Sequence, residues 1–180
     1  MNDAILEVDG LTKRFGSMLA LNNVSFDLRA GEVHALCGEN GAGKSTLIKC
    51  LSGIWPGSSY EGEIKVNGQL VNFHGIRDTE QVGIAVIYQE LALVSEMTVA
   101  ENIFLGSAPT NAWGCIDWNK LYSDAHQLLL QYGLLLDPMA TVADLGIGEQ
   151  QMIEIVKALA KDTKILLLDE PTAALTETEV

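Results

Sequence analysis

Gly38-Glu39-Asn40-Gly41-Ala42-Gly43-Lys44-Ser45-Thr46 is the stretch that decides the fold of this chain. It fits the spacing G-x-x-x-x-G-K-[ST], in which glycines let the backbone turn successive N–H groups toward one anion. The apolar residues Val33, Ala35, Leu36 and Cys37 before it predict a buried strand. Leu47, Ile48, Leu51 and Ile54 after it recur at helical spacing. Strand, loop and helix in that order are the setting in which such a loop wraps phosphates. Lys44 adds a point charge for the β- and γ-phosphates, and Ser45 a hydroxyl for Mg²⁺. The helix N-terminus contributes roughly half a positive charge. A glycine-rich turn capping a helix by chance is the bland alternative, and the flanking pattern weighs against it. The nine residues predict a site for a nucleoside triphosphate.

Composition bounds the partners. At 180 residues the chain is long enough for one domain with a real core, or for part of a larger one. Its formal net charge of −13 argues against a nucleic-acid partner, whose phosphates need clustered Lys and Arg. Lys13-Arg14 is the only adjacent basic pair. No apolar run approaches the ~20 residues of a membrane span, and the N-terminus lacks the basic and apolar regions of a signal peptide. These features predict a soluble, cytosolic protein. The three cysteines, Cys37, Cys50 and Cys115, form no Cys-x-x-Cys pair and no metal-ligand cluster with His34, His74 or His126. Cys37, in the expected strand, and Cys50, on the helix after it, read as small core residues.

Along the first third, β-like runs at Ile5–Val8 and Val24–Leu28 are broken at Gly16 and Gly31. Glu63–Val66 and Val71–Phe73 flank Asn67-Gly68, a two-residue hairpin signal. Residues 1–90 therefore read as an antiparallel sheet beside the nucleotide-loop core, closing with a buried strand over Ile84–Tyr88. Residues 91–148 change character. Thr98 is placed to cap a short helix carrying Val99, Ile103 and Phe104. Leu121, Ala125, Leu128 and Leu129 mark a longer helix ending near Gly133. This stretch reads as an inserted helical subdomain. Residues 149–180 hold a further helix, from Glu149 to Ala160, with Met152, Ile155, Val156 and Leu159 on one face. It leads into the apolar run Ile165–Leu168. The fold class expected is α/β, with a mixed sheet core, an N-terminal antiparallel subdomain and the helical insertion.

Asp169-Glu170 follows that run and supplies what a phosphate loop alone lacks. An apolar strand ending in a carboxylate delivers Asp169 to the sheet edge, where it can hold Mg²⁺ through water while Ser45 binds the metal directly. Glu170 is placed to orient or deprotonate an attacking water. Alone, an apolar strand followed by Asp-Glu is a common pattern. Paired with the loop upstream it becomes specific.

With these motifs the chain resembles the ATP-binding cassette (ABC) ATPases over its whole length. The resemblance implies ATP and Mg²⁺ as ligands. It makes Gln89 the family's loop glutamine, which touches the metal and senses a membrane subunit, and Phe15 the aromatic that stacks on adenine. It places Gly146, Ile147, Gly148 and Glu149 in the signature, which caps the γ-phosphate held by a second cassette. Lys44, Gln89 and Glu170 are then the catalytic residues, and Ser45, Gln89 and Asp169 the metal residues.

The finer resemblance is to the ATP-binding subunits of sugar importers, those of D-xylose uptake above all. It is carried by Cys37–Gly41, Gly57–Glu63, Ile76–Glu80, Gln89–Leu93 and Thr98–Gly106. It implies a peripheral protein at the cytoplasmic face of the cell membrane that powers monosaccharide import through permease subunits. A second cassette, in the same full-length chain or a dimer mate, and indirectly a periplasmic sugar-binding protein, complete the partners. A soluble ABC ATPase without a membrane partner, or a nucleotide-binding fragment without turnover, are the alternatives. Two departures bear on rate: Gly146 stands where the family has serine, and Glu149 where it has glutamine. Loss of one transition-state donor can cost ~10²–10³ in rate, so the resemblance implies weakened but retained turnover. Family members also continue past the position of Val180, with further strands and a histidine for the γ-phosphate, and the expectation is an N-terminal part of a longer protein or a truncated reading frame.

Overall fold

The computed structural model describes residues 4–169, and the chain divides into two compact units, Met1–Ile84 and Ala85–Val180. In the first, β1 (Ala4–Phe15) and β2 (Met18–Arg29) form a long hairpin turning at Gly16-Ser17. With β3 (Glu61–Val66) and β4 (Gln69–Val71) they make a sheet ordered β2-β1-β3-β4, antiparallel throughout. The expected turn at Asn67-Gly68 is present: Val66 pairs with Gln69, and both turn residues have positive φ, 51° and 74°, as a type I′ hairpin requires.

Strand β1 changes phase partway along. Leu6 and Val8 point inward, then Leu11 and Lys13 do. The register explains it: Val8 pairs with Phe26 but Leu11 with Val24, so β1 carries one extra residue between them. Gly10, at φ 62°, sits in that bulge, where a glycine takes a dihedral that other residues reach only with strain. One inserted residue flips the strand's faces. It brings a lysine into the core.

Helix α1 (Lys44–Leu51) buries Leu47, Ile48, Cys50 and Leu51. Full burial of an aliphatic side chain contributes about 1.5–3 kcal/mol, so this face anchors the loop before it. Ile54 lies past the end of the helix and is 38% exposed, not on the apolar face its spacing suggested. Helix α2 (Ile76–Gln81), too short and polar to show a period, follows β4.

The strand expected at Val33–Cys37 is not formed. Residues 32–39 have no regular structure, Cys37 is exposed, and Val33 is 97% exposed. An apolar run becomes a buried strand only where neighbours take its N–H and C=O groups, and among the described residues no strand pairs with it. Cys50 is fully buried as expected, and burial pushes its thiol up to about 11 despite the nearby Lys13 charge.

The second unit contains β5 (Ile84–Ile87), α3 (Val99–Ile103), α4 (Trp118–Gln131), α5 (Ile147–Leu159) and β6 (Ile165–Leu168). β5 and β6 pair as a two-stranded sheet. Val99, Ala100 and Ile103 of α3 meet Leu121, Ala125 and Leu129 of α4 and Ile153 and Val156 of α5 in one core. Thr98 caps α3 as its sequence predicts: its hydroxyl accepts from Glu101 N–H, and Glu101 accepts from the Thr98 N–H at 2.8 Å. Such caps are worth about 1 kcal/mol. Helix α5 is enclosed more fully than its period suggested. Gln151, Ile153, Glu154 and Val156 are the buried residues, while Met152, Ile155 and Leu159 are half-buried.

Candidate nucleotide site

The loop 38–43 curls around the side chain of the lysine that follows it. Lys44 Nζ donates to the carbonyl oxygens of Gly38 at 2.8 Å and Glu39 at 3.1 Å. Ala42 N–H donates to Glu39 O at 3.1 Å, which tightens the turn. Gly43 enters the helix at φ 95°, and a Cβ there would meet the Ala20 carbonyl oxygen at 2.5 Å. Dihedral and space both demand glycine.

At the N-terminus of α1 no side chain caps the backbone, and the first turn holds no acidic residue. The first N–H groups of a helix lack partners within it, and Lys44, whose ammonium the loop carbonyls hold, is the first residue of this helix. Residues 38–42 are exposed. An anion of several oxygens suits this arrangement: donors and positive charge converge, and nothing negative belonging to the helix competes. The chemistry of the loop therefore fits a polyphosphate.

Phe15, at the end of β1, is half-buried and packs edge-on against Trp55, ring centres 5.2 Å apart. Lys13 Nζ lies 5.0 Å from the Phe15 ring and 4.8 Å from the Trp55 ring, and donates to Ser59 O at 2.7 Å. Lys13 is 4% exposed, so the Lys13-Arg14 pair makes no basic surface patch. Tyr60, next to Ser59, has its phenol raised by burial, and further by Cys50, to about 12. Sequence reasoning singled out Phe15 and missed Lys13 and Trp55. The available signal was the two-residue period of a strand, which puts positions 13 and 15 on one face.

In the second unit, β5 and β6 end side by side: Asp169 N–H donates to Ile87 O at 2.9 Å. Gln89 lies exposed, two residues beyond Ile87, and Asp169 is half-buried immediately after β6. The structure thus brings the predicted glutamine and carboxylate to neighbouring strand ends. Glu170 lies outside the described residues. Oxygen donors such as the Ser45 hydroxyl, the Gln89 amide and the Asp169 carboxylate are of the kind Mg²⁺ takes. Among the described residues no cluster of three His, Cys, Asp or Glu stands ready as a cage.

Gly146–Glu149, the residues expected to form the signature, lie at the start of α5, with Gly146 as N-cap. Glu149 folds back, and its Oε2 accepts from Gly146 N–H at 2.9 Å. Gln150 reaches the other way, donating to Val142 O at 3.1 Å and Leu145 O at 3.0 Å, and so fixes the turn entering the helix. Further along α5, Glu154 Oε1 accepts from Ala92 N–H at 3.0 Å and Lys157 Nζ donates to Ala92 O at 2.8 Å. Neither residue stood out in the sequence, because a buried carboxylate on a half-apolar helix leaves no periodic trace.

A polyphosphate loop at a helix N-terminus, an antiparallel subdomain and a helical unit starting from a glutamine-bearing strand end define an ATP-binding cassette. A family model described as ABC transporter matches residues 21–173. The chain is 57% identical over 180 residues to the xylose import ATP-binding protein of Moorella thermoacetica, covering 100% of this chain and 36% of that protein. It is 52% identical over 177 residues to the L-arabinose transport ATP-binding protein of Geobacillus stearothermophilus, covering 98% and 34%. A nucleotide-free ATP-binding cassette from an ABC transporter superposes with a TM-score of 0.84 at 25% identity, covering 98% of this chain and 72% of that one. The chain belongs to the ABC transporter family of ATP-binding proteins. It spans about a third of the length of these curated relatives. Among the described residues no helix is long and apolar enough to cross a membrane.

Proposed function

We propose that this chain is the first nucleotide-binding segment of the ATP-hydrolysing subunit of a monosaccharide importer. D-xylose is the favoured sugar, because relatives named for xylose import align over the whole chain at 57% and 55% identity. The relative named for L-arabinose, at 52%, keeps the reading within pentoses. The observation that carries the proposal is the loop itself: Lys44 threaded among its own carbonyls beside the uncapped start of α1.

In this reading residues 38–46 hold the triphosphate, with Lys44 on the β- and γ-phosphates and Phe15 against adenine. Ser45, Gln89 and Asp169 would hold Mg²⁺, which when bound neutralises charge on the phosphates. Glu170 orients or deprotonates the attacking water. The start of α5 serves the γ-phosphate of a second cassette, offering the backbone N–H groups of Ile147 and Gly148. Catalysis rests on positioning and charge stabilisation of an in-line phosphoryl transfer to water. Opening and closing of the cassettes passes through Gln89 to permease subunits, which places the protein peripherally at the cytoplasmic face of the membrane. A periplasmic sugar-binding protein delivers the sugar from the far side.

The test is Glu170→Gln in the full-length protein carrying this segment. ATP binding is expected to stay at the wild-type level while turnover stops. Normal hydrolysis by that variant would sink the assignment of Glu170. Xylose-dependent ATP turnover in vesicles holding the whole transporter tests the sugar, and arabinose dependence alone would reassign it.

A further inference from the structure

We propose that Glu154 and Lys157 are positioning residues that fasten the segment after Gln89 to the signature helix, so that the glutamine and the signature shift as one element. The inference rests on the roles given above to Gln89 and to Gly146–Glu149, and goes beyond them in naming what joins the two.

Ala92 lies three residues after Gln89 in a stretch without regular structure. Its N–H and C=O would ordinarily be taken by a neighbouring strand or by water. Here two side chains from one helix take both, Glu154 at 3.0 Å and Lys157 at 2.8 Å. Their i, i+3 spacing puts them on one side of α5. Two residues on, a single side chain repeats the pattern. Asn102 Oδ1 accepts from Val94 N–H at 2.8 Å, and its Nδ2 donates to Val94 O at 3.0 Å. Asn102 belongs to α3, which shares its core with α5. The segment leaving Gln89 is therefore held at Ala92 and Val94 by charge-assisted and amide bonds from the helix pair, and Leu93 between them packs against the same core.

The cost identifies the purpose. Glu154 is 6% exposed, and its Oε2 has no hydrogen-bond partner among the described residues. A buried carboxylate with an idle oxygen is dearer than an apolar side chain of the same shape. Packing alone would favour leucine there. What leucine cannot do is hold the Ala92 N–H. Glu154 lies seven residues into α5 from Ile147, about 10 Å along the axis from the signature. A helix does not stretch over two turns, so displacement at Ala92 is delivered to the signature end.

The experiment uses the full-length protein and reads hydrogen exchange of residues 89–94 and 147–150, with and without a non-hydrolysable ATP analogue and Mg²⁺. In the wild type the analogue is expected to change exchange in both segments. In the Glu154→Leu, Lys157→Met double variant one segment keeps its response, while the other falls about fivefold to tenfold. In that variant kcat drops while KM for ATP holds. Glu154→Gln with Lys157→Arg, which keeps acceptor and donor, restores the joint response. Should the double variant fail to fold, Lys157→Met alone gives the same comparison. A joint response of wild-type size in the variants lacking the clasp would overturn the inference, as would equal failure of the conservative pair. Absence of analogue binding to the wild type would overturn the functional reading and this inference together. Intact binding with undisturbed coupling overturns this inference alone.

Discussion

The ammonium of Lys13 lies 4.8 Å from the centre of the Trp55 ring, inside the first unit, with its charge directed to Ser59 O at 2.7 Å. It is there because the bulge at Gly10 turns β1 over. Lys13 joins β1, Trp55 in the stretch beyond α1 and the turn at Gly57–Ser59. Lys13→Met keeps the aliphatic stem and removes the charge. A hydrogen bond from a charged donor and a desolvated cation–π contact together predict a loss of about 2–4 kcal/mol. Native-state exchange of the β1 amides in the full-length protein measures it, and an unchanged protection pattern would count against the cation.

Two changes in the phosphate loop should separate binding from stability. Lys44→Ala removes the charge proposed to face the phosphates but leaves exposed carbonyls that water can satisfy. Nucleotide affinity should fall at least about 100-fold, the scale of a lost stabilising donor, with stability within about 0.5 kcal/mol of wild type. Gly43→Ala acts the other way, since its Cβ would meet Ala20 O at 2.5 Å with φ held at 95°. That strain costs of order 1–3 kcal/mol and should show as lower stability before nucleotide is added. Calorimetric titration and thermal unfolding of both variants give the comparison. Equal effects on both readouts would refute the separation.

Local chemistry was legible in the sequence; relationships between distant segments were not. The Asn67-Gly68 turn and the Thr98 cap each rest on residues within a few positions of one another, and both formed as read. Val33–Cys37 was misread because strand formation is a property of neighbours, which no local pattern reports. Lys13 was missed because the first strand was read only to Val8 and runs on to Phe15, and Glu154 because its partner lies sixty-two positions away. Glu170, the residue on which turnover is assigned, lies outside the described residues.

Glu149 places a carboxylate at the start of α5, accepting the Gly146 N–H at 2.9 Å. A carboxylate there complements the helix dipole, but it also carries negative charge to the point where the proposed γ-phosphate of a second cassette would dock. Glu149→Gln keeps an oxygen that can accept from Gly146 and removes the charge. In the full-length protein kcat should rise several-fold, since about 1 kcal/mol of like-charge repulsion corresponds to roughly fivefold. Steady-state ATPase assays decide it, and a lower kcat would mean that the cap matters more than the charge.

The last prediction concerns pH and the Glu154 carboxyl. Burial pushes it above its ordinary value of 4.5, while the Ala92 N–H and the Lys157 charge pull it partly back. Lys157 is lowered from 10.5 by burial, opposed by Glu154 and assisted by Lys161. A carboxyl raised on folding contributes stability that is fully present below 4.5 and lost as pH climbs through the folded value. Ionising Glu154 therefore weakens α5 as pH rises above the ordinary carboxylate range. Glu154→Gln removes the penalty and keeps the acceptor for Ala92. Exchange protection of the α5 amides in wild type and variant, compared at about pH 4.5 and about pH 7.5, should be similar at the lower pH and favour the variant at the higher. Because the comparison is made within each pH, other carboxylates cancel. A difference that does not change between the two would show that Glu154 is not titrating in this window.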